Sequence, residues 1–343
     1  MAQHVLQACL KPPRMPAPAD APITDPVLVN DWHPVLPSKE LTGERPVAAK
    51  LLGEDVVLWR CAGRALAWKD LCIHRGAKLS LGKVAGATLA CPYHGWTYGE
   101  SGRCTLIPSQ PAVAPPARAR AQVYRAQERY GLVWVCLGEP ARDLPDLPQW
   151  DDPEYRHDIC GPYTFTAAGP RIMENFFDVG HFPFVHDGLL GASGHPEIGD
   201  HHATVTRDGI TVDDIRIWQP GNASSTAGGD VTYRFRILRP FTAEFLKSNG
   251  PARILQRLVA TPITQTLTKA WMLRAMNTGL DRPAEDFVAF EDLLASQDIP
   301  VVESQRPERL PLDLQAELHL RSDRIAIAYR QWLRLLGLSY GTA

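Results

Sequence analysis

From Asn30 to about Glu139 the chain alternates short apolar, β-type runs with turn signals. The clearest runs are Val56–Arg60, Ala65–Trp68 and Gly131–Leu137, and the clearest turns are Ala62-Gly63 and Ser101-Gly102. That rhythm predicts a small antiparallel β domain over residues 29–140. Upstream, KPPRMPAPADAPITDP (11–26) is too rich in proline for regular structure, so residues 1–28 read as a mobile arm. Downstream, the four prolines of LGEPARDLPDLPQWDDP (137–153) suit a linker, placed at 141–155.

The pattern then changes. Arg171–Val185 has helical spacing, and strand-like runs follow at Ala203–Ile217, Val231–Leu238, Leu255–Ala260 and Thr266–Met276. An amphipathic helix begins at Pro283 and runs to about Gln297. Another covers Ser322–Leu336, with a core face and a solvated arginine face. Strands flanked by helices predict an α+β second domain over residues 156–343.

Composition narrows the function by exclusion. A length of 343 residues allows two domains, and 45% hydrophobic with 22% charged residues is ordinary for a globular chain. The net charge of −2 leaves no basic footprint for nucleic acid. No apolar run approaches the roughly 20 residues of a membrane-spanning helix. The opening MAQHVLQACL lacks the organisation of a secretory signal, so a cytoplasmic protein is expected. An odd count of seven cysteines argues for thiol or metal use rather than disulfides. Only Cys72 and Cys91 have histidines at ligand spacing; the other five read as small buried apolar residues.

Cys72-Ile73-His74 is followed, after sixteen residues, by Cys91-Pro92-Tyr93-His94-Gly95-Trp96. Two loops that each mix Cys with His suit a two-iron cluster with thiolates on one iron and imidazoles on the other. That ligand split raises the potential far enough to feed an oxygen-activating site. Gly76 and Gly95 let both loops turn tightly. The rival is a structural zinc, which prefers pairs of one ligand type.

A second constellation lies in Glu174-Asn175-Phe176-Phe177-Asp178-Val179-Gly180-His181-Phe182-Pro183-Phe184-Val185-His186. Histidines five apart do not stack on an ideal helix, and Pro183 is expected to break or kink the helix between them. Two histidines plus one carboxylate make the ligand set of non-haem Fe(II) oxygenases. Candidates for the carboxylate are Glu291, Asp292, Asp298 and Glu303 in FEDLLASQDIPVVESQRP. Asp298 is preferred because it ends the predicted helix before Pro300, with Leu294 and Glu291 on the same helix face.

On these residues, together with ERYGLVWVCLG, QWDDPEY, DVGHFPFVH and SDRIAIAYRQWL…GLSYG, the chain resembles the Rieske non-haem iron oxygenases over about residues 29–341. It is similar to the group containing vanillate O-demethylase, methylxanthine N-demethylases and saxitoxin-biosynthesis hydroxylases. The resemblance implies a Rieske β domain joined to a helix-grip (START-like) domain. It implies a 2Fe–2S cluster on Cys72, His74, Cys91 and His94, and Fe(II) on His181, His186 and Asp298. Asn175 and Asp178 would serve the reaction, Asp178 by bridging His94 of one subunit to His181 of the next in a homotrimer.

The expected activity is hydroxylation, or oxidative N- or O-demethylation, of a small organic molecule with dioxygen. No nucleotide-binding fingerprint occurs, so the electrons of NAD(P)H would arrive through a separate reductase or ferredoxin. Two other classes compete: a Rieske electron carrier without a working second site, and a metal-stabilised ligand-binding module. The substrate pocket is expected to use Leu273, Leu294, Phe184 and Glu291, with Glu291 available to a cationic nitrogen. The segment GASGHPEIGDHH (191–202) is a candidate lid, with His195, His201 and His202 at the surface.

Overall fold

The computed structural model describes residues 21–221 and 228–343. Its first half follows the β preference of branched and aromatic residues. After a one-turn helix α1 (Pro26–Val29) come strands β1 (His33–Pro37), β2 (Val47–Leu51), β3 (Glu54–Cys61) and β4 (Arg64–Lys69). Next are β5 (Lys83–Ala85), β6 (Thr88–Ala90), β7 (Thr97–Gly99), β8 (Cys104–Leu106), β9 (Val123–Arg129) and β10 (Leu132–Cys136). They form a six-stranded sheet in the order β1-β10-β9-β4-β3-β2 and a four-stranded meander β5-β6-β7-β8. Trp59, Trp68 and Tyr98 are fully buried beneath the meander, with Cys72 and Cys91 in the same cluster.

The arm expected over 1–28 is shorter than that. Leu28 is buried and the Ile23 amide donates to Leu52 O at 2.8 Å. Pro26 begins a helix rather than preventing one, because its missing N–H is not needed in the first turn. Asp25 caps that turn through Val27 N at 2.9 Å, and its other oxygen accepts from Ser339 N and Oγ at 2.6 and 2.7 Å. Residues 1–20 lie outside the described residues. The expected linker is also packed down: Leu144 and Leu147 are buried, and the carbonyls of Pro145 and Asp146 accept from the buried Arg257.

The second half contains β11 (Arg156–Phe165), α2 (Gly169–Phe177), α3 (Phe182–Val185), β12 (Ala203–Thr206), β13 (Gly209–Gln219) and β14 (Gly229–Arg239). It continues with β15 (Thr242–Asn249), β16 (Ala252–Pro262), β17 (Thr268–Met276), α4 (Ala284–Ser304) and α5 (Arg324–Leu336). The strands make one antiparallel sheet, β11-β17-β16-β15-β14-β13-β12, and α4 packs across it against β11. The run Ala203–Ile217 is two strands, because Arg207 and Asp208 turn the chain. β11 and β15 were not expected; the polar end of β15, Lys247-Ser248-Asn249, interrupts the apolar alternation. No helix among the described residues is long and apolar enough to cross a membrane.

Two helix expectations change. α4 continues through Pro300 to Ser304, held by buried Val302, so Asp298 does not end it. The arginine face of α5 is not wholly solvated. Arg330 is buried and donates to both oxygens of Glu174 at 2.8 Å and to Glu317 at 2.6 Å, while Arg171 also pairs with Glu317 at 2.8 Å. This network clamps α5 onto α2. Removing one partner of a buried charge network strands the others. Arg330→Met is therefore expected to lower stability by about 3–5 kcal/mol in urea unfolding, whereas loss of the solvent-exposed Arg125–Glu139 pair should barely change it.

Candidate metal sites and substrate cavity

Two loops of the first domain close in the same way. Cys72 N donates to Ala77 O and Gly76 N to Cys72 O; Cys91 N donates to Trp96 O and Gly95 N to Cys91 O, all at 2.8–3.1 Å. Both closures need a positive φ at the fourth residue after the cysteine, met by Gly76 (71°) and Gly95 (69°). The loops bring Cys72 beside Cys91 and set the imidazoles of His74 and His94 with centroids 4.6 Å apart. His74 stacks on Trp96 at 4.5 Å, and its buried Nδ1 has no protein partner. Burial pushes the Cys91 thiol up, and the amides of Tyr93 and His94 oppose that by favouring a thiolate. Burial above all keeps the Tyr98 phenol protonated, and its oxygen is hydrogen-bonded to Cys72 Sγ at 3.1 Å.

These four donors fit a two-iron cluster. A single tetrahedral zinc would draw them all within about 4 Å of one another. Among the described residues, only His181, His186 and Asp298 gather three such donors within 4.8 Å. A sulfur pair and an imidazole pair standing apart is the arrangement of a Rieske cluster, and the orphaned His74 Nδ1 is left free for it.

The second site is built at the end of α2. That helix stops at Asp178, the chain turns through Val179-Gly180, and α3 begins. Pro183 lies in the first turn of α3 and starts it, so the break falls before His181 rather than between the histidines. His181 and His186 are the two caps of that four-residue helix, which puts their centroids 5.0 Å apart on one side. From α4, Asp298 Oδ1 lies 3.5 Å from His181 Nε2 and 3.2 Å from His186 Nε2, and accepts from Asn175 Nδ2 at 3.3 Å. Donor atoms about 3 Å apart suit three ligands on one face of a divalent ion. Each histidine's far nitrogen is held: His186 Nδ1 donates to Gln297 Oε1 at 2.7 Å, and His181 Nδ1 faces Asp178 Oδ2 at 3.4 Å. Both Nε2 atoms are thereby turned toward Asp298.

The other carboxylates once in contention are engaged elsewhere. Asp292 accepts from Tyr163 OH, Glu303 from Thr166 N, and Glu291 from Gln256 Nε2 at 2.8 Å. Glu291 is buried, which raises its carboxyl above the ordinary range against the pull of Arg274 and Gln256. Its carboxyl is thus already engaged by Gln256 and lies 3.6 Å from Arg274.

A cavity of about 950 Å³ opens from the His181–His186–Asp298 site between the sheet and α4. Leu294 and Glu291 line it as expected, but Leu273 and Phe184 do not. Leu273 faces the opposite side of the sheet, packing with Tyr130, Trp134 and Trp271, while its neighbours Met272 and Arg274 face the cavity. A one-residue error of parity on a strand exchanges the faces. Phe184 is 66% exposed, on the outer side of α3. None of residues 191–202 lines the cavity; His195 stacks on Trp218 and His201 is buried. Gln297, Gln256 and Lys247 went unnoticed in the sequence, since no spacing links them to the metal motif.

Comparisons with known proteins agree with this geometry. Residues 31–118 match the Rieske [2Fe-2S] domain family and residues 165–338 the vanillate O-demethylase oxygenase C-terminal domain family. Methylxanthine N1-demethylase NdmA of Pseudomonas putida is 33% identical, over 89% of this chain and 88% of its own. Methylxanthine N3-demethylase NdmB of the same organism is 30% identical over 90% and 89%. A solved structure of NdmA with caffeine aligns with a TM-score of 0.78 at 31% identity, covering 90% of each chain. With both domain families in order and relatives matched along nearly the full length, the chain belongs to the Rieske non-haem iron oxygenases, as a terminal oxygenase component.

Proposed function

We propose that Cys72, His74, Cys91 and His94 hold the 2Fe–2S cluster, and that His181, His186 and Asp298 hold the mononuclear Fe(II) that oxidises a small organic molecule in the adjoining cavity. The observation that carries this reading is the convergence of both His Nε2 atoms on Asp298 at the mouth of a 950 Å³ cavity. When bound, the cluster supplies single electrons and the ferrous ion supplies oxygen-activating chemistry.

The chain's own residues prepare the site. Gln297 fixes the tautomer and plane of His186, and Asn175 holds Asp298 at Oδ1 so that its carboxylate stays turned to the histidines. Phe176, Phe182, Leu294 and Met272 give the cavity much of its apolar lining. Replacing a C–H by C–OH on a methyl attached to nitrogen or oxygen gives a product that releases formaldehyde. Hydroxylation and demethylation therefore need no different machinery.

The reading includes a cytoplasmic homotrimer fed by a separate NAD(P)H-dependent reductase. Exposed apolar side chains support the contact between subunits: Tyr93 (64%) and Ile73 (51%) flank one metal site, and Phe184 (66%) flanks the other. Asp178 is half exposed beside His181, which leaves its carboxylate open to a neighbouring subunit.

His181→Ala, His186→Ala and Asp298→Ala are each expected to lose one iron per chain and substrate-dependent oxygen uptake, with the cluster spectrum intact. Full activity in Asp298→Ala would remove it as a ligand. Gln297→Leu should weaken iron binding about 10–100-fold in metal titration while leaving the cluster unchanged. Mixing Cys72→Ala with His181→Ala subunits, under exchange, should restore part of the activity. Asp178→Asn on the Cys72→Ala chain should abolish that rescue, and on the other chain should not. No rescue in any exchanged mixture would assign electron transfer to a single subunit.

A further inference from the structure

The cavity face of the seven-stranded sheet is laid out in rows across the strands. One row reads Phe235, Phe245, Gln256, Arg274, Asp158. Its polar groups are already engaged, Gln256 with Glu291 at 2.8 Å and Arg274 with Asp158 and Glu291 at 3.5 and 3.6 Å. The next row reads Tyr233, Lys247, Ile254, Met276, Arg156, and the first four of these side chains line the cavity.

Lys247 is the one charged residue among those four. Among the described residues its Nζ has no carboxylate within ion-pair distance and no hydrogen-bond partner, and it lies over the Tyr233 ring at 5.9 Å. Burial alone holds its ammonium down to about 8, with no acid pulling it back. Lys247 is partly buried, and an ammonium beside apolar neighbours without a counter-ion is disfavoured, whereas a strand position between Tyr and Ile accepts Leu or Val readily. An unpaired charge in the reaction cavity therefore points to a ligand charge of opposite sign. Phe245, one pleat or about 6.8 Å along the same face, packs on Phe176 of α2 at 5.5 Å. Lys247 thus stands toward the β15–β16 turn, one pleat beyond the ring that seats α2.

We infer that Lys247 selects the substrate: its ammonium pairs with a carboxylate, or an equivalent single negative charge, on the molecule filling the cavity, and directs that molecule's other end toward Asp298. This rests on the oxygenase reading above and gives it a substrate class. It also reverses the sign expected from the sequence, where Glu291 was to meet a cation.

The test uses the full-length protein loaded with cluster and iron, under nitrogen. Calorimetry compares three ring series (4-methoxyphenyl, 4-methylphenyl and 6-methoxynaphthyl), each as carboxylate, carboxamide and aminomethyl compound. In at least one series the carboxylate should bind roughly ten- to a hundredfold more tightly than the amide. Lys247→Met should erase that preference and Lys247→Arg should retain most of it, with the cluster spectrum and iron content showing that both variants are folded. Equal or tighter binding of amide or amine, no binding by any carboxylate, or an unchanged preference in Lys247→Met overturns the inference. Oxygen uptake with a reductase separates the two claims. Carboxylates that bind through Lys247 yet never promote uptake contradict the oxygenase reading alone, and uptake driven equally by amides contradicts only the role of Lys247.

Discussion

The structure of the second domain depends on bringing two imidazoles from one short turn onto a carboxylate from a helix more than a hundred residues away. His181 and His186 bracket a four-residue helix, so a single local turn sets their relation to each other. Their relation to Asp298 is long-range, and everything that fixes it lies in how α2 and α4 are seated. α2 is held from behind by Arg330, whose guanidinium engages Glu174 one residue before Asn175. α4 is held by the packing of Leu294, Ala295 and Val302, and by Gln297, which grips His186 directly. A shift of either helix by about an ångström would break the hydrogen bonds that keep both Nε2 atoms turned inward.

The cavity wall obeys the same logic. Alternation along the strands sends Lys247, Gln256, Met272 and Arg274 to the cavity and Leu255, Leu273 and Trp271 to the opposite core. The acidic and basic groups of one row neutralise one another through Glu291 and Asp158, so they shape the wall without offering charge to a ligand. One row further on, Lys247 has no such partner among the described residues. In low dielectric that difference decides which polar group a bound molecule meets with the greatest gain.

What was legible in the sequence was local. The Cys-x-His and Cys-x-x-His pairs lie within single loops whose closure needs only a nearby glycine, so their spacing already made them candidates. His181 and His186 were legible for the same reason, although Pro183 begins their turn instead of breaking it. Asp298 was chosen from helix periodicity, and the face was right although the helix does not stop there. Leu273 failed because strand parity cannot be counted without the register, and β15 failed because its polar end hides the alternation. Arg330 looked solvated because its two acid partners come from other parts of the chain. Gln297 and Lys247 depend wholly on long-range register and carry no sequence signal of their own.

The proposed activity requires one chain to carry two different iron centres, one sulfur-bridged and one mononuclear. Metal and acid-labile sulfide analysis of the purified, reconstituted protein addresses it directly. About three iron atoms and two sulfides per chain are expected, with no stoichiometric zinc. Two irons with two sulfides, or zinc without sulfide, would contradict it.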